Sequence, residues 1–564
     1  MALDWTTRSA LDFTMLFTLL FPFLLAQGPG ITANVTDPLS HGTLGDAVLS
    51  LDEAIRLANG TLTASQLSPA EQACLAGTGL VATILIDAAV TPSITLQAPL
   101  TDLVGPTGVH QHVEIMGMTM PGNPRPVIQG GALPRVFTFR YYGAMLHGLR
   151  VVGGQVGVDA RMPQPAAPAA HMAEVMECEF TGQTVAAVRV HGTGTDESMV
   201  MVEDTSFANM PLAFLLDDQT AGGMVMVEAE RIDFDGVVLG CRVLENGTGG
   251  LNMSMFNLFR SHFANGATLA EQRVSPTAAQ QFMFRIVHSQ ITCTGDVLDI
   301  EGNAPGLTMV HHHHSDFVAG AGRKAFWCWP RTATFDIHGS EMRFVGDVSI
   351  ATNLQTPRMW QQNNRYENGT ITFDVDGALP NLLWNQYDNC TIVVPVTARS
   401  PVVVRSSELA NTPVTGSSFL APVTLQGCWR TGSSALTGFV TETQVAGGPF
   451  LGRTTVTPPE PQVGAGVTFA ADLPSGFGLI WDIVLSYPRP YTTQEPFRFY
   501  GDPGTLIVLP GMVVFQSQTT VPIPNLPGLA GLEFYVQGIT LPLGSIPYAP
   551  AYHLPRGGLI RLRT

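Results

Sequence analysis

Apolar and polar residues along the middle of this chain recur in a fixed unit: two apolar residues two places apart, a polar corner, then a small or apolar residue two places before a Phe. Val227, Ala229, Ile232 and Phe234 are one copy. The last position is filled in turn by Val151, Phe180, Phe207, Phe234, Phe263, Ile291, Phe317, Phe344, Tyr366, Ile392 and Leu409, with spacings of 29, 27, 27, 29, 28, 26, 27, 22, 26 and 17 residues. A period near 27 residues predicts a solenoid. Each unit is too small to bury its own apolar face, so neighbours must stack and share one core.

The units align in register. Ala173 and Val175, Val200 and Val202, Val227 and Ala229, Phe256 and Leu258, Phe284 and Ile286, and Val310 and His312 occupy the same two alternating positions, which a strand of period two points inward. After the corner come Cys178/Phe180, Thr205/Phe207, Ile232/Phe234, Ser261/Phe263, Ser289/Ile291 and Ser315/Phe317. A second strand per coil is expected at residues 185–190, 212–216, 237–239 and 297–300.

Before the repeats, Ser50 and Glu53 are spaced as a capping box and Gly60 as a stop, with Leu51, Ala54, Ile55 and Ala58 on one face. This predicts an amphipathic helix placed to cover the first coil. Strands are expected at residues 83–86, 93–96, 113–117 and 126–131. A Ser-Leu-x-Glu-Ala-Ile helix, an Ile-Thr-Leu strand and two Ile-x-Gly strands resemble the N-terminal cap and first coils of secreted bacterial right-handed parallel β-helix proteins of the pectin-lyase-like fold. Leu49 and Asp52 stand where those caps often carry Cys and Arg. The resemblance covers roughly residues 31–440 and implies the fold and secretion; the family includes lyases, hydrolases and adhesins, so it implies no single reaction.

The expected fold class is therefore all-β: a right-handed parallel β-helix solenoid with an N-terminal helical cap and a small C-terminal β-sandwich-like module. Residues 1–26 read as a signal peptide, with Arg8 ahead of an apolar stretch from Met15 to Ala26 that is short for a membrane span. Residues 27–130 form the cap and first coils, 131–453 the repeats, 454–464 a Pro-rich linker and 465–564 the terminal module, with apolar runs at 478–481, 506–509 and 532–537. That module is similar to C-terminal modules of secreted planctomycete-type proteins.

A formal charge of −17 and a single lysine, Lys324, argue against nucleic acid and anionic lipid. No transmembrane span remains once the signal is removed, and the expected partners are extracellular polysaccharide or cell-surface components. The seven cysteines show no C-x-x-C spacing, so neither zinc nor a redox dithiol is indicated through them, and Cys178 and Cys390 are expected as buried thiols.

Two constellations could carry chemistry. Histidines 311–314 follow Val310; His312 falls in an apolar inward column, His311 should face outward, and His313 and His314 occupy a corner, so the metal candidates are His311, His313, His314 and His288 one coil earlier. The other constellation is acidic and basic. Asp217 and Asp218 should diverge to opposite faces of a strand end, while Glu177, Asp204, Glu230, Arg231 and Arg260 lie on one corner line. Glycoside hydrolysis needs two carboxylates flanking the bond; polysaccharide lyases use Arg or Lys with calcium-binding carboxylates. The Gly-His-Gly and Arg-x-Lys elements of polygalacturonase-like proteins are absent from the chain. The leading expectation is a secreted or cell-surface structural or binding protein that recognises extracellular glycan, without a cofactor. The rival is a carbohydrate-active lyase or hydrolase using Asp217, Asp218, Glu230, Arg231 and Arg260, with calcium if lyase-like.

Overall fold

The structure is a computed structural model that describes residues 30–40, 44–105, 112–118, 124–162, 172–245, 253–274, 281–301, 307–329, 334–352, 358–377, 380–445, 453–457, 461–472, 477–482, 518–523, 525, 533–542 and 558–561. The expected signal peptide and the run at 506–509 lie outside the described residues. The chain divides into two units, residues 1–256 with 277–280, and residues 257–276 with 281–564.

In the first unit, parallel strands stack coil on coil. One ladder runs through Val81–Asp87, Val113–Met118, Ala144–His147, Ala173–Met176, Glu197–Glu203 and Met224–Glu230. A second carries Phe180 beside Val151 and Phe207, and Phe207 beside Phe234. Strands Ser206–Thr220 and Asp233–Glu245 are long enough to continue into a third, where Phe214 pairs with Val188 and Cys241. Phe180, Phe207 and Phe234 are buried and stacked, with centroids 5.4 and 5.6 Å apart, close to the strand spacing.

The expected helix is present as Leu51–Ala58, with both halves of the capping box formed. Ser50 Oγ accepts from the Glu53 N–H at 3.1 Å, and Glu53 Oε2 accepts from the Ser50 N–H at 2.9 Å. Beyond its end, Asn59 Nδ2 donates to the Asp102 carbonyl at 2.8 Å.

The second unit repeats the cross-section. Phe263, Ile291, Phe317, Phe344 and Tyr366 succeed one another in register, and all are buried. The next member is Tyr387, not Ile392 as the sequence spacing suggests: Tyr387 pairs with Tyr366 and Leu409, while Ile392 pairs with Ile371 and Val414 in the neighbouring ladder. Tyr366 and Tyr387 stack at 4.9 Å and 7°. Cys390 therefore leaves the column two places before the ring, where Asn385 stands instead, although Cys390 is buried. That column has its own logic. Its side chains accept buried backbone N–H groups of the preceding coil: Ser289 N–H on Ser315 Oγ at 2.9 Å, Met342 N–H on Asn364 Oδ1 at 3.0 Å, and Asn385 N–H on Ser407 Oγ at 3.0 Å. A corner inside a solenoid leaves such donors without water, and these small polar residues satisfy them.

All seven cysteines are free, and all but Cys74 are buried. Burial pushes the Cys178 thiol up to about 12, which makes it inert as a nucleophile at neutral pH.

Past the coils, Arg453–Thr457, Gly466–Asp472 and Gln518–Pro522 form one antiparallel sheet, and Phe477–Asp482, Glu533–Pro542 and Gly558–Arg561 another. The Pro-rich segment expected as a linker thus begins with a paired strand, Arg453–Thr457.

Candidate functional site

Asp217 and Asp218 diverge, as neighbours on a strand must. Asp218 is fully buried: Oδ1 accepts from the Thr220 N–H at 2.9 Å and Thr220 Oγ1 at 2.7 Å, and Oδ2 accepts from Ser254 Oγ at 2.9 Å. Burial raises its affinity for a proton, and these hydrogen bonds offset part of the rise. Asp217 turns the other way, accepting from Arg189 Nη2 at 3.0 Å and Gln219 Nε2 at 3.1 Å. The two carboxyl groups thus lie in separate hydrogen-bond environments.

Asp217 belongs to a charged bed whose centre the sequence did not single out. Asp159, on strand Val156–Ala160, is buried and in register with Thr138 on one side and Arg189 on the other. Arg140 Nη2 reaches its Oδ2 at 3.3 Å, Arg135 Nη1 lies at 3.6 Å, His191 Nε2 lies 3.2 Å from Oδ1, and Arg189 Nε lies at 4.0 Å. Burial alone would raise the Asp159 pKa; the hydrogen bond from His191 and the charges of His191, Arg140 and Arg189 outweigh it and hold the carboxyl below its usual range. Asp102 extends the bed towards Arg140 and Arg135 at 3.5 and 3.6 Å. At its margin Arg161 Nε donates to Asp196 Oδ2 at 2.9 Å. Guanidinium donors and carboxylate acceptors thus alternate on a rigid sheet, with Arg135, Arg161 and Arg189 between a third and two-fifths exposed at their side chains.

Arg231 and Glu230 belong to a corner instead. The Arg231 guanidinium donates to both Asp204 oxygens at 2.8 Å, to Glu230 Oε1 at 2.6 Å, and to Glu203. The Asp204 hydrogen bonds raise its proton affinity further, so it is a permanent cation rather than a base. Glu177, Asp204, Arg231 and Arg260 share a left-handed backbone, with φ of 51°, 48°, 54° and 51°, while Glu230 precedes that line by one residue as the last residue of Met224–Glu230. Arg260 lies in the second unit and the other named groups in the first.

The histidine run is split by strand geometry. In Leu307–His313, Val310 and His312 are buried inward residues and His311 is half-buried on the outer face. His312 is admitted to an apolar column because its register partner is Gly339: a Cβ there would lie 2.1 Å from His312 Nε2. Beyond it stands Gln361, whose side chain meets His312 Nε2 at 3.3–3.4 Å. Burial drives the His312 pKa down to about 3, so the ring is neutral. His313 is buried at the end of the strand against Ser340 Oγ at 2.8 Å. His314 takes the left-handed corner, with Nδ1 at 3.0 Å from the buried Glu341, and its ring stacks on His288 at 4.7 Å. The expected metal candidates therefore divide: His314 and His288 stack at one corner, His313 is buried at the strand end and His311 lies on the outer face. His311 is the one that joins a cluster of three ligands among the described residues, and its companions are Asp336 and His338, neither singled out from the sequence. A signal existed: His338 follows His311 by 27 residues, one repeat.

The ladders and their inward columns define an all-β parallel β-helix solenoid. No family model matches the chain, and no curated protein matches it. Among solved structures it is similar to the tailspike protein gp49 from Acinetobacter baumannii bacteriophage Fri1, a capsular polysaccharide depolymerase, at 7% identity and a TM-score of 0.21, over 85% of this chain and 76% of that one. At that score the likeness carries no argument about activity. Among the described residues no helix is long and apolar enough to cross a membrane.

Proposed function

We propose that this chain is an extracellular β-helix that binds glycan through the charged bed around Asp159, and that it binds without depolymerising. The observation that carries the reading is the engagement of each candidate carboxylate: Asp217 with Arg189, Asp218 with Thr220 and Ser254, and Glu230 with Arg231. Carboxylates held this way lack the pairing of a proton donor with a separate base or nucleophile that glycoside cleavage demands. The bed instead offers fixed donors and acceptors to sugar hydroxyls, at the cost of little reorganisation on binding. Near balance between Arg135, Arg140, Arg161 and Arg189 and Asp102, Asp159, Asp196 and Asp217 favours a neutral, hydroxyl-rich glycan over a polyanion.

A panel of neutral and uronate polysaccharides, tested by calorimetry beside assays for reducing and unsaturated ends with and without calcium, examines the proposal. Binding of a neutral glycan that weakens at least tenfold in Arg189→Ala, with no ends released, is the expected result. Reproducible release of ends that disappears in Asp217→Ala with Asp218→Ala, or in Arg231→Ala with Arg260→Ala, would replace this reading with the lyase or hydrolase alternative.

A further inference from the structure

We propose that His311, Asp336 and His338 form a binding site for a divalent first-row transition metal ion, zinc foremost. Strands Leu307–His313 and Thr334–Ser340 pair so that Met309 faces Asp336 and His311 faces His338. Val310, His312, Ile337 and Gly339 take the inward positions, so alternation sends Met309, His311, Asp336 and His338 to the outer face as the corners of one rectangle.

Within that rectangle the ligand atoms of the three residues lie within 4.8 Å of one another. His338 Nε2 is 2.8 Å from Asp336 Oδ1, and the His311 ring lies over that of His338 at 4.8 Å and 14°. Bonds of about 2.0–2.1 Å in a tetrahedron place donor atoms about 3.3 Å apart. One pair is already inside that distance, and the neighbouring His311 ring closes the remainder by turning about its χ2 bond. Because the backbones are locked in register by the ladder, assembling the site needs side-chain rotation alone.

The donor set selects the metal. Two imidazoles and one carboxylate suit zinc, copper, nickel or iron better than calcium or magnesium, which prefer all-oxygen shells. The fourth position is left to water or to the Met309 thioether, on the same face and in register with Asp336. The His338–Asp336 contact gives way to metal bonds on binding.

The test uses the full chain purified without a polyhistidine tag, stripped with EDTA and titrated with Zn²⁺ alone. One ion per chain is expected, with affinity falling at least tenfold in Asp336→Asn and in His338→Gln, and kept in His314→Gln, which shortens the histidine run but leaves the rectangle whole. Circular dichroism checks each variant for folding. A second readout needs no variant: the Zn²⁺ anomalous signal in a crystal of the wild-type chain should lie between these three side chains. Binding unchanged in both ligand variants, loss confined to His314→Gln, absence of stoichiometric uptake, or an ion located elsewhere would overturn the assignment.

Discussion

Replacing Phe207 by Ala tests the packing on which the first unit rests. The ring is fully buried, stacked on Phe180 at 5.4 Å and Phe234 at 5.6 Å, and met edge-on by Phe214 at 5.0 Å. Truncating a buried Phe costs about 3–5 kcal/mol, with the spread set by how far the surroundings collapse. Here they cannot collapse. Phe180 and Phe234 sit on strands hydrogen-bonded to either side of Ser206–Thr220, so the sheet holds them about two strand spacings, roughly 9.6 Å, apart whatever lies between. Aromatic pairs add about 0.5–1.5 kcal/mol each beyond area, and Phe207 loses several at once. The expected loss is therefore at the upper end, about 5 kcal/mol, whereas Phe207→Leu should cost about 1.5 kcal/mol by refilling most of the volume. Urea unfolding gives the total. Hydrogen exchange gives the place, because in a solenoid each coil answers to its neighbours, and protection should drop first in Glu179–Thr181, Ser206–Thr220 and Asp233–Glu245. A loss below about 1 kcal/mol in Phe207→Ala, or equal losses in the Ala and Leu variants, would refute the rigid-ladder argument.

Acid should weaken the second unit through His312: its pKa falls from an ordinary 6.5 to about 3 on folding, so between those values the unfolded chain binds the extra proton and stability is lost as pH falls below about 6.5. The slope approaches about 1.4 kcal/mol per pH unit below about pH 6, and His312→Leu should gain on wild type by about 2 kcal/mol between pH 6.5 and 4.5; parallel pH–stability curves would contradict it. Arg231→Ala leaves Glu203, Asp204 and Glu230 facing one another. It should cost about 2 kcal/mol at pH 7, a penalty that shrinks on acidification because burial raises the proton affinity of Glu203, and a penalty that grows on acidification would be the wrong sign.

The ring ladder was legible because an aromatic or aliphatic residue at each inward place is a strong mark, and its period survives insertions in the corners. Register slipped at the end for a physical reason. Tyr387 and Ile392 are both fully buried and only five residues apart, one in each of two adjacent ladders, so hydropathy cannot rank them once the coil shortens. The outward place of His311 and the inward place of His312 followed from alternation alone. What alternation cannot reveal is which outward residues converge. Asp159 draws on Arg135 and Arg140, at the start and just past the end of one neighbouring strand, and on Arg189 and His191 of the other, and nothing local to Val158-Asp159-Ala160 announces that gathering.

The corners make the same point more sharply. Glu177, Asp204 and Arg231 in one unit, and Arg260, His288, His314, Glu341, Asn363, Trp384 and Ser406 in the other, all adopt φ between 45° and 56°. A left-handed backbone costs a residue with a side chain about 1–2 kcal/mol, and glycine or asparagine is its usual occupant. Here the position tolerates acids, bases and an aromatic, because the turn is closed from outside: the Glu177 N–H reaches the Glu203 carbonyl, Asp204 that of Glu230, His288 that of His313 and His314 that of Ser340, each one coil on. Backbone geometry thus brings charged residues into line wherever a coil turns, and a row of charges in sequence reads as a groove. In Arg231 and its three carboxylates the line is a salt-bridged knot that fastens one coil to the next. Chemistry is better sought on the flat outer faces, where strand register fixes side chains side by side with no turn to close, as it does for Asp159 with Arg189 and for His311 with His338.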